Sequence, residues 1–150
     1  MYPMGEIKRA AERLMEITHA TLMLGILAVK PGARIGAIGD AIQRFAEAER
    51  CSVVRDCCGH GVGRLFHDAP NIVHYGRPED GPEMREGMIF TIEPMINAGK
   101  YPVKTLDDGW TAVTKDRSLS AQFEHSIGVT GTGVEIFTKS PKGWDKPPYL

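Results

Sequence analysis

The sequence predicts an α+β domain in which helices come first and mostly antiparallel strands follow. Three observations carry this. Apolar residues recur at helical spacing through the first third of the chain. The last third alternates with a period of two. A Gly-Thr-Gly turn joins two of the alternating runs as a hairpin. At 150 residues the chain suffices for one ordinary domain with its own core.

The elements follow in order. In residues 4–29, Ile7, Ala11, Leu14, Ile17, Thr18, Thr21, Leu22 and Gly25 mark one face of a helix. Lys30-Pro31-Gly32 ends it, since proline cannot extend the ladder and glycine permits the turn. A second helix over 36–50 has Ile35, Ile38, Ile42, Phe45 and either Ala46 or Ala48 as its apolar stripe. Asp40, Gln43, Arg44, Glu47 and Arg50 take most of its wet face. Residues 51–54 form a short β-like run leading into a glycine-framed loop, GHGVGRLFHDAP. Residues 71–86 are rich in Pro, Gly and charge and read as a long loop. His74 within it is read as a loop hydrogen-bonding residue, with a substrate-side role as the alternative. Strands are expected over 88–96, 111–114 and 122–129, the last joined through the GTG turn to 134–137. The tail beyond residue 139 holds Pro141, Gly143, Pro147 and Pro148 and reads as loose.

Composition narrows the function classes. The chain is 42% hydrophobic and 25% charged, with a net charge of −1 and scattered basic residues. Phosphate binding needs a basic excess, so nucleic acid is not an expected partner. No apolar run is long enough for a bilayer span, and no basic-then-apolar leader opens the chain, so no membrane partner is expected. Cys51, Cys57 and Cys58 form no C-x-x-C pair, which fits a reducing cytoplasm.

Three residues invite chemistry. Glu93 interrupts the apolar run MIFTIEPMI. A carboxylate there must sit at an edge, be paired, or bind a cation, because an unpaired buried charge is too costly. Glu124 repeats the pattern on QFEHSIGV, sharing a face with Gln122 and Ser126. With His60 from the glycine-framed loop, one imidazole and two carboxylates make a plausible ligand set for Mn, Fe, Co or Zn. The competing reading is solvent-facing strand glutamates and a loop histidine that binds nothing. G-H-G-V-G is no phosphate loop, since no Gly-Lys-Ser/Thr follows. Cys57 and Cys58 lie near His60, but nothing in the sequence marks either thiol as activated.

CGHGVGRLFHDAP, EGMIFTIEPMINAGK and DGWTAVTKDRSLSAQFEHSIGVT, preceded by VKPGARIGAIGDAIQ, resemble the C-terminal half of the type I bacterial methionine aminopeptidases. The segments occur in the same order with similar spacing. The resemblance covers nearly all of the chain to about Thr138. It implies a "pita-bread" α+β fold with a curved, mostly antiparallel sheet. It also implies a metal-dependent hydrolase that removes the N-terminal Met from new polypeptides, with a Met-initiated peptide as substrate. His60, Glu93 and Glu124 are then implied metal ligands. Glu93 also carries protons and His67 donates to the substrate amide. Phe66, His67, Trp110 and Gln122 are the implied substrate contacts. The metals implied are Co, Mn, Fe or Zn, two per intact site.

In that family two further aspartate ligands lie on a hairpin in the N-terminal half, ahead of the segment that matches residues 1 and 2. The expectation is therefore that residues 1–138 are the C-terminal portion of the catalytic domain and 139–150 a loose tail. Such a portion keeps three of four ligands at one metal position and would hold one weakly bound ion. The ribosome and a complementary N-terminal half are the further partners considered. Two alternatives stand beside the enzyme reading: a non-catalytic fragment or remnant that binds peptide or a partner protein, and a relative acting on Xaa-Pro bonds. Within the matching segments, Cys57 stands where the family often has an aromatic, and Ala69 where it often has an acid.

Overall fold

The computed structural model describes residues 1–145 and 147. Helix α1 (Arg9–Leu27) and helix α2 (Gly36–Ala48) come first. Ten strands follow: β1 (Ser52–Val53), β2 (Gly59–Gly61), β3 (Asp68–Ile72), β4 (Ile89–Ile92), β5 (Met95–Asn97), β6 (Val103–Thr105), β7 (Ala112–Thr114), β8 (Ser120–Gln122), β9 (His125–Val129) and β10 (Val134–Ile136). The expected α+β architecture is what forms. Helix α1 begins five residues later than its periodicity suggests. Gly5 adopts φ +71°, a left-handed conformation that helical residues do not take.

The helices bury one stripe each: Leu14, Ile17, Leu22 and Ile26 on α1, Ile38, Ile42 and Ala46 on α2. They meet at Gly25, where an added Cβ would fall 2.7 Å from Ile42 Cδ1. Together with Ile72, Phe90, Ile92, Ile96, Phe123 and Ile127 from the strands they form one core.

All strand pairings are antiparallel. A five-stranded sheet runs β10-β9-β4-β2-β3, a three-stranded sheet β1-β5-β8, and, among the described residues, β6 pairs only with β7. Two runs expected as single strands are each divided between sheets. The 88–96 run becomes β4 in the larger sheet and β5 in the smaller. The 122–129 run becomes β8 and β9. Both divisions fall at the same level, because β4 pairs with β9 and β5 with β8. The result is one long two-stranded ribbon, kinked midway, whose halves belong to different sheets. Glu93-Pro94 lies at the kink on one strand and Phe123-Glu124 on the other.

The GHGVGRLFHDAP segment is likewise not simply a loop. Its ends are β2 and β3, paired with a bulge between His60 and Gly61. The expected hairpin from β9 to β10 forms, with Val134 opposite Val129. The described part of the 139–150 tail turns back toward β9. The Tyr2 hydroxyl donates to the Trp144 carbonyl, and Asp145 Oδ2 lies 3.7 Å from His125 Nε2. Residues 146 and 148–150 of the expected tail lie outside the described residues.

Candidate metal centre

His60 sits in the middle of β2, flanked by Gly59 and Gly61. Neither glycine is there for a left-handed turn. A Cβ on Gly59 would fall 2.3 Å from the Thr91 carbonyl oxygen, and one on Gly61 would fall 2.1 Å from that of Ala69. Only glycine lets β2 sit this close to β4 on one side and β3 on the other. His60 is thereby clamped, with its side chain 12% exposed.

Its ring is oriented by the backbone. His60 Nδ1 lies 3.0 Å from the Gly61 carbonyl oxygen. A carbonyl only accepts, so Nδ1 carries a proton. Nε2 faces Glu93, whose Oε1 lies 3.7 Å away. The arrangement is the one that prepares an imidazole for a cation.

Glu93 is held at both its carboxylate and its backbone. Thr91, 2% exposed, donates its hydroxyl to Glu93 Oε1 at 2.7 Å, and that hydroxyl accepts the His60 N–H at 2.9 Å. The Glu93 N–H donates to His74 Nε2 at 3.1 Å. His74 is therefore neutral, and burial pushes its pKa down to about 4. The loop carrying His74 is fixed in turn by α2: a Cβ on Gly39 would fall 2.5 Å from the Tyr75 carbonyl oxygen.

Glu124 completes the carboxylate pair. The registers of β4 with β9 and of β5 with β8 are continuous across the kink, with Ile92 opposite His125 and Met95 opposite Gln122. Glu93 and Glu124 therefore oppose one another. Like charges directly opposed across an antiparallel pair are destabilising. The electrostatics agree: burial raises the Glu93 pKa, and the Glu124 charge raises it further. The Thr91 hydroxyl and the imidazoles of His60 and His67 pull the other way. Gln122 Nε2 lies 3.4 Å from Glu124 Oε2 and steadies it. Two carboxylates and an imidazole are hard and borderline donors of the kind that suit a divalent cation. Among the described residues, however, no three His, Cys, Asp or Glu side chains are grouped so as to hold a metal ion.

The two aromatic candidates separate. His67 lies edge-on to His60, with ring centroids 4.3 Å apart, and Phe66 lies 5.5 Å from His60. Trp110 stands apart on the β6–β7 turn, 89% exposed. A cleft of about 560 Å³ is lined by Cys57, Cys58, His60, His67, Asp68, Ala69, Asn71 and Glu93. A larger groove of about 630 Å³ runs beside β7. Lys104, Lys115, Arg117 and Leu119 are among its walls, but no carboxylate or imidazole, so hydrolytic chemistry points to the smaller cleft. Burial raises both cleft thiols above the ordinary cysteine range. At Cys57 the Asp56 and Glu93 charges add to this, and at Cys58 the Glu93 charge does. Neutral thiols argue against cysteine nucleophilic catalysis here.

Residues 1–131 match Metallopeptidase family M24. The chain belongs to this family. The methionine aminopeptidase of Rickettsia prowazekii is 55% identical over 150 residues, 99% of this chain and 58% of that protein. Methionine aminopeptidase A of Synechocystis is 58% identical over 134 residues, 89% of this chain and 53% of that protein. The crystal structure of the Thermotoga maritima methionine aminopeptidase superposes with a TM-score of 0.90 at 43% identity, over 93% of this chain and 56% of that one. The M24 chain thus spans about half the length of the curated relatives it matches. The fold is that of the family, as the resemblance implied.

Sequence reasoning missed the role of Thr91, whereas His74 makes a hydrogen bond as expected, to the Glu93 N–H. A threonine on an apolar strand reads as filler. What distinguishes Thr91 is its place two residues from Glu93 on the same face, which only the pairing of β2 with β4 turns into a bridge.

Proposed function

We propose that this M24 chain contributes the His-Glu-Glu side of a methionine aminopeptidase centre, which hydrolyses the bond after an N-terminal Met. The observation that supports it most is the opposition of Glu93 and Glu124 at the kinked ribbon, with His60 Nε2 3.7 Å from Glu93 Oε1. His60, Glu93 and Glu124 would hold a divalent cation of the Co, Mn, Fe or Zn class. When bound, such an ion lowers the pKa of water and stabilises negative charge on the substrate carbonyl.

The remaining work falls to this chain's own groups. Glu93 is half-buried with a raised pKa, which suits it to take up and return a proton during hydrolysis. Thr91 fixes the Glu93 carboxylate, and His74 fixes the Glu93 backbone. His67, beside His60 at the cleft, would donate to the substrate amide oxygen. Phe66, 4.7 Å from His67, offers an apolar face for a methionine side chain. Gln122 would steady Glu124. Trp110 would reach the substrate only from a cleft wall that the β6–β7 hairpin helps to build. In this reading residues 1–138 are the portion that carries the centre.

Cobalt(II) titration of the purified chain, followed by its visible absorption band, tests the ligand set. One ion per chain is expected, lost in His60→Ala and in Glu93→Gln. Chelator-sensitive methionine release from Met-Gly-Met is expected once a complementary N-terminal half supplies the two aspartates, and not from this chain alone. Cobalt binding without release in that mixture would favour a peptide-binding role, and cleavage of a Gly-Pro peptide instead would favour the Xaa-Pro reading. An unchanged cobalt spectrum in both variants would sink the assignment.

A further inference from the structure

The cleft carries a second constellation that the metal-ligand set does not use. Cys57 and Cys58 are consecutive, both are free, and both line the same cleft as His60 and Glu93. They lie just outside β2, in the irregular stretch after the bend at Arg55-Asp56, so strand alternation does not force them to opposite faces. Their Cα atoms are about 3.8 Å apart, as for any neighbours across a trans peptide. Cys57 is exposed and Cys58 half-buried, which leaves a route in from solvent. The third cysteine, Cys51, lines a separate hollow with Arg13, Leu14 and Glu49.

We propose that Cys57 and Cys58 form a dithiol site for trivalent arsenicals on the wall of this cleft. Soft thiol donors select soft centres. Trivalent arsenic bearing one organic group needs only two sulfurs, which this pair supplies. The step balances without an oxidant. An aryl arsenoxide condenses with two thiols, two As–S bonds form, two S–H bonds break, and the oxygen leaves with both protons as water. Arsenic stays trivalent. The aryl group then occupies the space in front of His60, so the site is a chemical stopper for the cleft. The inference does not depend on any metal being bound.

The test uses phenylarsine oxide and intact-mass analysis of the native full chain. A single adduct, the reagent less one water, is expected. It is removed by a dithiol and resists the same thiol concentration supplied as a monothiol. Cys57→Ser and Cys58→Ser each abolish it, and Cys51→Ser retains it. Circular dichroism of the serine variants separates loss of the site from loss of the fold. An adduct that survives in either the Cys57 or the Cys58 variant overturns the proposal. So does a folded wild-type chain that takes up no reagent.

Discussion

Thr91 shows how much one hydroxyl can organise. It accepts from the His60 backbone and donates to the Glu93 carboxylate, joining β2 to β4 at the point where both ligand candidates emerge. Thr91→Val keeps the shape and removes both bonds, leaving the His60 N–H unsatisfied in a nearly buried place. A loss of about 1–3 kcal/mol is expected in urea unfolding. Cobalt affinity should fall about 10–100-fold, as for other groups that orient a ligand. His74 sets a pH dependence. The unfolded imidazole titrates near 6.5 and the folded one near 4. Above pH 6.5 both states are neutral and stability is full. As pH falls from 6.5 towards 4 the unfolded chain takes up a proton that the folded chain refuses, so stability declines by about 3 kcal/mol. His74→Gln, which keeps an acceptor for the Glu93 N–H, should flatten the unfolding midpoint across that range.

Among the elements, the two helices and the β9–β10 hairpin were legible because each is set by a local period and a local stop signal. The kinked ribbon was not. Period two continues through MIFTIEPMI, yet the strand changes sheets within it. Pro94 is the visible mark, since proline cannot donate to a ladder. Phe123-Glu124 carries no such mark, and its break exists because its partner strand breaks opposite. The candidate ligands were legible through the family resemblance and the oddness of charged residues in apolar runs. Their mutual opposition needed the pairing. The glycines beside His60 were legible as glycines but not for their reason, which is contact between strands rather than bending. Gly59→Ala should therefore destabilise the chain by about 1–3 kcal/mol through overpacking against Thr91. Gly133→Ala, where an added Cβ meets nothing within 4 Å, should leave the urea midpoint within error of wild type.

On the scale of the whole molecule, stability is uneven. The β4–β9 ribbon lies in the core with Phe90, Ile92 and Ile127 fully buried. Among the described residues the β6–β7 hairpin pairs with no other strand, and most of residues 103–114 are exposed. Amide exchange should therefore proceed through residues 103–114 well before 89–92 and 125–129. Trp110 at its turn should be quenched freely by iodide. The same hairpin is the link between β5 and β8. Chain length is consequently free to drift at one point and locked at others. An in-frame insertion of any length at residues 107–109 lengthens a turn and leaves Glu93 opposite Glu124. A single residue added between Ile92 and Glu93 slides one carboxylate past its partner and turns it to the other face. Genes encoding this fold can accept coding insertions at the hairpin tip, where a tag or reporter can be grafted with the cobalt spectrum intact, while the ribbon a few residues away tolerates none.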